Sequence, residues 1–376
     1  MKQSAFNSIN EEIQVLRAIA ILMVIASHLE GLFFWDIMKW SSLGHGLWIG
    51  VDLFFCISGF VIAKNLLPKL EGKIGIEFWK EVGAFWLRRL YRITPSAWLW
   101  LLIPTLLSPL MIHTHSANFG PANIADITAA VLHVSNLHFF NCTNGGGPCG
   151  DFALYWSLSL EEQFYIVLPF FVLLFRKHLS IALIVALLVQ VFIQRQQWVG
   201  IMSFIRTDAI LIGVLIAVFS NTTSYIALDP RLNLSRFRNV IPLVLIFSLL
   251  TITRYEIVSF FIGLSALVSG IIVWLCSYDK GYVFKASIIR DFFVWIGTRS
   301  YAIYLIHIPA FWFTREIWAW IEPQGTVFNA MFCLRFALTS LVIIVLFSEL
   351  NYRYIEEPFR KKGKAYARNM LKVDEL

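Results

Sequence analysis

The chain has 376 residues, of which 58% are apolar, 16% aromatic and only 15% charged. That balance excludes an ordinary soluble domain and has the signature of a multi-span membrane protein. The net charge of +7 does not argue for nucleic acid, because the basic residues follow membrane topology.

The first apolar run, residues 13–34, is interrupted by Arg17 and His28. Eleven helical residues turn through about 1100°, so the two side chains fall within ~20° of one face, separated by a rise of ~16 Å. An ionisable group inside a membrane span is costly and marks function by default. A cation near one end of the span and an imidazole deep in it suit a long ligand with an anionic head and a reactive tip. The stretch before residue 13 is polar and no small-residue cleavage site follows the run, so the span is expected to stay in the mature protein.

Windows of about 20 apolar residues predict ten spans. They lie near 13–33, 46–66, 95–113, 153–175, 179–194, 200–219, 239–253, 257–277, 292–314 and 328–349, the fifth and seventh being short. The expected fold is an all-α polytopic membrane bundle, one domain over 1–376, with an outer loop at 114–152 and a cytoplasmic tail at 350–376. With the N-terminus in the cytoplasm, 24 of the 31 Lys and Arg lie on the inner side. The outer connections hold four (Lys39, Arg195, Arg254 and Arg315), and Arg206, Arg299 and Arg335 fall within spans. The positive-inside rule then places both termini in the cytoplasm.

The outer loop carries no Lys or Arg, and Ile124–Phe140 within it reads as a short amphipathic helix at the interface. Cys142 and Cys149 flank a Gly-rich tip, either as a disulfide in an oxidising compartment or as two thiols of a mobile loop. No Cys/His spacing resembles a zinc site, so no metal is expected.

Polar residues recur at middle to outer depth in five spans: His28, Asp52 with Ser58, Glu161 with Glu162, Arg206 with Asp208, and Arg299, Tyr301, Tyr304 and His307. Such groups must face a bundle interior or a wet cavity. Asp208 with Arg206 or Arg299 also reads as a structural ion pair, and the two tyrosines as packing residues. On the inner side, Arg89 and Arg92 share a helical face just before the third span. Arginine forks bind phosphate bidentately, while positive-inside anchoring and contact with anionic lipid explain the same pair.

Together these residues resemble the membrane-bound acyltransferase-3 family, which includes bacterial O-antigen O-acetyltransferases. The elements are Arg17-x10-His28, Gly50-Val51-Asp52-Leu53-Phe54-Phe55-x-x-Ser58-Gly59-Phe60, Arg89-x-x-Arg92, and Trp156-Ser157-Leu158-Ser159-Leu160-Glu161-Glu162-Gln163-Phe164-Tyr165. Arg206-x-Asp208-Ala209 with Gly213, and Ser300-Tyr301-x-x-Tyr304-Leu305-x-His307, complete the set over about residues 10–360.

The resemblance implies an enzyme of the bacterial inner membrane that moves an acyl group, usually acetyl, from cytoplasmic acyl-CoA to a hydroxyl of an extracytoplasmic carbohydrate. Surface polysaccharide such as the O-antigen of lipopolysaccharide is the favoured acceptor; peptidoglycan, a periplasmic glucan or a small natural product also fits. Many relatives carry a fused SGNH hydrolase-like domain. This chain stops about 27 residues after its last predicted span, so the expectation is a membrane domain acting alone or with a separate periplasmic transferase partner.

In the implied scheme Arg17, Arg89 and Arg92 hold the CoA phosphates. His28 acts as general base or transient acyl carrier. Glu161 or Glu162 orients the imidazole or binds sugar hydroxyls, and Asp52 and Ser58 support the same cavity. The rival classes are an ion-coupled transporter or flippase and a non-enzymatic scaffold; within the enzyme class the rival is transfer of a larger group such as succinyl.

Overall fold

A computed structural model of the chain describes residues 10–196, 198–230, 240–282 and 288–372. The described residues form helices and connecting turns, without strands. We number the principal helices α1 (Glu11–Ser27), α2 (Gly50–Leu70), α3 (Gly75–Leu107), α4 (Pro121–Val131), α5 (Ser135–Thr143), α6 (Tyr155–Phe175) and α7 (Leu179–Val191). They continue as α8 (Asp208–Phe219), α9 (Val240–Tyr255), α10 (Phe261–Ser277), α11 (Ile288–Thr298), α12 (Ser300–Ile321), α13 (Cys333–Asn351) and α14 (Glu357–Lys372).

Helical runs at Leu47–Leu70, Gly75–Leu110, Tyr155–Val191, Ile201–Phe219 and Ala330–Lys372 are long and apolar enough to cross a bilayer, and α9 and α10 are shorter apolar helices. Leu174, Val185, Val189, Leu341 and Val342 stand exposed on these runs, as lipid-facing residues do. The chain is a polytopic helical membrane protein.

Several boundaries differ from the sequence reading. The first run is not one helix. Asn10 caps α1 by accepting from the Ile13 amide at 2.9 Å, but the helix ends at His28, whose φ of −114° and ψ of 12° break it before a short turn at Leu29–Leu32. His28 therefore stands at the end of α1 rather than within a continuous helix. The third helix starts at Gly75, not near Pro95, and passes through that proline. There the Tyr301 hydroxyl donates to the Ile93 carbonyl at 2.8 Å and the Tyr155 hydroxyl to the Ala97 carbonyl at 2.9 Å, giving backbone groups near the proline side-chain partners. The ninth predicted span is two helices, α11 and α12, separated by Arg299. The segment expected as one interfacial helix is likewise two, α4 and α5, parted at 132–134.

The core is built on close helix crossings that only glycine allows. A Cβ on Gly59 of α2 would overlap the Ile210 carbonyl of α8, and one on Gly213 of α8 would overlap the Cys56 carbonyl of α2. The two backbones are thus in direct contact, the small-residue packing expected where lipid supplies no hydrophobic drive. Gly297 of α11 approaches the Gln14 carbonyl of α1 in the same manner. At the other end of the chain, α14 lies along α3, with Gly363 against Tyr91 and Met370 over Gly83.

Candidate functional site

Two cavities meet inside the bundle, and they divide the predicted site residues between them. The first, about 820 Å³ with its open mouth, is lined by Arg17, Arg89, Arg92, Ser58, Glu161 and Glu162, together with Tyr165, Ser300, Tyr301 and Tyr304. Among the described residues none of the three guanidinium groups makes a direct ion pair; the Arg17 Nε donates to Ser300 Oγ at 3.2 Å. Arg89 lies over the rings of Phe85 and Tyr165, 5.6 and 5.5 Å from their centroids. Tyr165 donates its hydroxyl to Glu161, while Glu162 Oε1 is buried without a partner. Three half-buried cations around one cavity, without direct counter-ions, are matched to a polyanion.

Below this arginine chamber a polar network ties the tail to α3. Asn351 donates to Ser96 Oγ at 3.0 Å and to Glu356 Oε1 at 3.1 Å, and accepts from Trp100 Nε1 at 3.2 Å. Glu356 closes a π-helical turn, Tyr352–Glu356, between α13 and α14.

The second cavity, about 840 Å³, is lined by His28, Glu30, Arg206 and Tyr304, by Trp48, Trp156 and Trp198, and by Ser41 and His45 of the 37–46 segment. His28 Nδ1 lies 2.8 Å from the Val24 carbonyl. A carbonyl only accepts, so Nδ1 carries the proton and Nε2 is left with a free lone pair. His307 is fixed in the same way, its Nδ1 donating to the Tyr304 carbonyl at 2.7 Å, with Nε2 buried and unpartnered.

Tyr304 and Val51 line both cavities and form the wall between them. The Tyr304 hydroxyl donates to the Leu154 carbonyl at 2.9 Å and lies 2.6 Å from Ser157 Oγ, which therefore acts as donor to it. The wall is thus pinned to the first turn of α6, on the helix that carries Glu161 and Glu162.

Several expected pairings are corrected. Glu161 and Glu162 line the arginine chamber and do not orient His28, whose imidazole is held by a backbone carbonyl. Arg206 pairs with Asp52 at 3.0 Å, and Asp208 pairs with Arg195, so Asp208 partners neither Arg206 nor Arg299. Asp52 is fully buried in that pair and lines neither cavity. Arg299 pairs with Glu349 and stacks between Trp295 and Tyr352, at the arginine end of the bundle rather than at middle to outer depth. Cys142 and Cys149 are joined in a disulfide. Among the described residues no group of three His, Cys, Asp or Glu is placed to hold a metal ion.

Glu30, Trp48, Trp198, Ser157 and Arg195 are the site residues that sequence reasoning passed over. Glu30 lies two residues beyond His28 in the same run, and that proximity was the available signal. Trp198 and Arg195 belong to an irregular connection whose placement hydropathy does not encode.

The acyltransferase domain model of the acyltransferase-3 family matches residues 10–348. The peptidoglycan O-acetyltransferase OatA of Listeria monocytogenes is 28% identical, over 93% of this chain and 55% of its own length. The putative peptidoglycan O-acetyltransferase YrhL of Bacillus subtilis is 27% identical over 93% of the chain and 54% of its own length. A putative O-acetyltransferase of Staphylococcus aureus is 27% identical over 93% and 57%. The chain thus spans about half the length of the curated relatives it matches, and no solved structure matches it. With the family model matching residues 10–348, most of its length, this chain belongs to the membrane-bound acyltransferase-3 family.

Proposed function

We propose that the protein transfers an acyl group, in the first instance acetyl, from an acyl-CoA in the cytoplasm to a hydroxyl of an extracytoplasmic carbohydrate. The observation that carries this is the arginine chamber: three guanidinium groups without direct ion pairs among the described residues, at one end of a path that leads, across the wall of Tyr304 and Val51, to a histidine with a free Nε2. In this reading Arg17, Arg89 and Arg92 take the CoA phosphates and both chain termini are cytoplasmic, as the charge asymmetry requires. The bundle lies in the bacterial inner membrane, and the pantetheine arm runs from Arg17 toward Tyr304.

The acceptor hydroxyl enters the histidine chamber and gives its proton to His28 Nε2 as its oxygen attacks the thioester carbonyl carbon. The tetrahedral intermediate collapses with cleavage of the C–S bond, and the CoA sulfur leaves with the proton returned by the imidazolium. General-base assistance of this type contributes about 10²–10⁴-fold to rate. Glu161 and Glu162 shape the donor chamber, Ser58 and Tyr301 line it, Asp52 with Arg206 ties α2 to the turn before α8, and Asp208 with Arg195 ties α8 to the connection that precedes it. The acceptor is a carbohydrate of the cell envelope, a class that includes the peptidoglycan named for the Listeria relative and the surface polysaccharides expected from the motifs. A separate periplasmic transferase completing the transfer is compatible with this scheme.

The test is acetyl-CoA turnover by the purified protein in nanodiscs with cell-envelope glycan as acceptor. Release of free CoA with acetyl transfer to glycan is the expected result; absence of both from folded protein overturns the reading.

A further inference from the structure

We infer that the histidine chamber is a pyranose-binding site in which Glu30 is the positioning residue for the acceptor, reading neighbouring hydroxyls while His28 faces the one to be acylated. This rests on the transferase reading above and specifies its acceptor side.

The chamber adjoins the arginine chamber at Tyr304 and Val51, and His28 and Glu30 both line it. Its walls are of two kinds. Trp48, Trp156 and Trp198 supply flat, rigid apolar faces; Trp156 and Trp198 meet edge to face at 5.3 Å, and Trp198 is braced by Phe139 at 5.4 Å. Such rings present apolar area at low conformational cost, as the C–H face of a pyranose requires.

Between these faces stand polar atoms that the protein leaves unsatisfied. Glu30 Oε2 is buried without a hydrogen-bond partner. Arg206 is 1% exposed and donates to Asp52 through one nitrogen, yet its Nε and Nη1 have no partner. Its guanidinium is held between Trp48 and Trp156, 4.9 and 5.0 Å from their centroids. A buried polar group left unpaired costs about 1–3 kcal/mol, so the free oxygen of Glu30, a residue of the chamber lining, points to a ligand that satisfies it.

The chemistry of these atoms selects the ligand. A carboxylate only accepts and a guanidinium only donates, and a sugar hydroxyl does both at once. A ring hydroxyl can therefore donate to Glu30 while the ring face stacks on indole, whereas Arg206, sealed beside Asp52, braces the indole wall. A purely apolar acceptor leaves Glu30 unpaired, and an anionic one is repelled by it. A site built to hydrogen-bond hydroxyls discriminates strongly against analogues that lack them.

The experiment uses the full chain in nanodiscs, with chitotriose and maltotriose as pyranose probes and acetyl-CoA as donor. Tryptophan fluorescence reports binding directly, since three tryptophans line the chamber, and transfer kinetics report positioning. Saturable quenching by either oligosaccharide is expected. Glu30→Ala is expected to weaken it at least tenfold and to raise the acceptor KM at least tenfold more than the donor KM. Trp198→Phe, which keeps an aromatic face, is expected to weaken binding less than Trp198→Ala. Thermal melting of each variant separates loss of binding from loss of fold. Donor turnover without a saturable response to either sugar overturns the pyranose assignment. Binding unchanged by Glu30→Ala overturns the role of Glu30. Sugar binding without donor turnover leaves this site standing and overturns the transferase reading instead.

Discussion

His28 and His307 meet edge to face, their ring centroids 5.3 Å apart, and each spends its Nδ1 proton on a backbone carbonyl. Two imidazoles tautomerised alike present two Nε2 acceptors in adjoining space, one on the chamber and one sealed behind it.

Replacing His28 with Gln therefore separates hydrogen bonding from proton acceptance. The amide of Gln can bond an acceptor hydroxyl but cannot take its proton. His28→Gln is expected to lose transfer as completely as His28→Ala, by about 10²–10⁴-fold. The check is single-turnover transfer of labelled acetyl, with donor binding confirming that the chamber is intact.

The arginine chamber makes a contrasting prediction. If the proposed donor placement holds, Arg89→Ala and Arg92→Ala remove charge from the phosphate end, away from the reacting carbon, and are expected to raise the KM for acetyl-CoA about tenfold or more with a smaller change in kcat. Lysine at either position is expected to restore only part of the affinity, because an ammonium cannot offer the two parallel donors of a guanidinium. Initial rates over a donor titration decide it.

The Asp52–Arg206 pair is fully buried, with both side chains inaccessible to solvent. Removing one partner strands the other charge, which costs about 3–5 kcal/mol, whereas replacing both by apolar residues of similar size is far less costly. Asp52→Leu and Arg206→Met are each expected to lower thermal stability in detergent sharply, and the double variant to recover much of it. Recovered fold with weakened sugar binding in the double variant would show that Arg206 also braces the Trp48 and Trp156 faces of the chamber.

The Gly59–Ile210 and Gly213–Cys56 crossings leave no room for a methyl group. Gly59→Ala or Gly213→Ala is expected to force α2 and α8 apart and to abolish folded protein in the membrane fraction. The same change at Gly145, where nothing lies within 4 Å, is expected to be mild despite its positive φ of 89°. Yield of monodisperse protein after detergent extraction compares them.

What the sequence makes legible follows from what each signal depends on. Apolar runs and charge asymmetry are sums over many residues, so they signal apolar helices without fixing where each one starts or breaks. Arg17, Glu161 and Glu162 are legible because charge inside an apolar run is costly whatever surrounds it. Partners are another matter. Asp208 chooses Arg195 over its near neighbour Arg206 because the 192–207 connection folds back beside α8, and no periodicity encodes that return. The breaks at His28 and Arg299 are single-residue dihedral changes within continuous apolar patterns, invisible to a 20-residue window. Glu30 reads as the edge of a span until the chamber around it is seen.

The last prediction concerns Glu316, near the end of α12 away from the arginine chamber. Its carboxylate accepts from the amides of His113 and Thr114, from the His113 ring at 2.8 Å and from Trp320 Nε1 at 2.9 Å, pinning the 111–115 turn to α12. Burial pushes its pKa up, but the His113 and Thr114 donors outweigh it and hold the carboxyl below the usual carboxylate range. A carboxyl depressed in the folded state contributes stability above its unfolded pKa of about 4.3, and that contribution is lost as pH falls through the lower folded value. Arg315, beside it, stays charged throughout and does not alter the sign. Glu316→Gln keeps one acceptor oxygen but loses the charge-assisted bonds, with an expected cost of about 2 kcal/mol at neutral pH. The gap in melting temperature between wild type and variant should therefore be widest near neutrality and close below about pH 4. A gap that stays constant from pH 7 to pH 3.5 would mean that the ionised carboxylate is not what holds the turn.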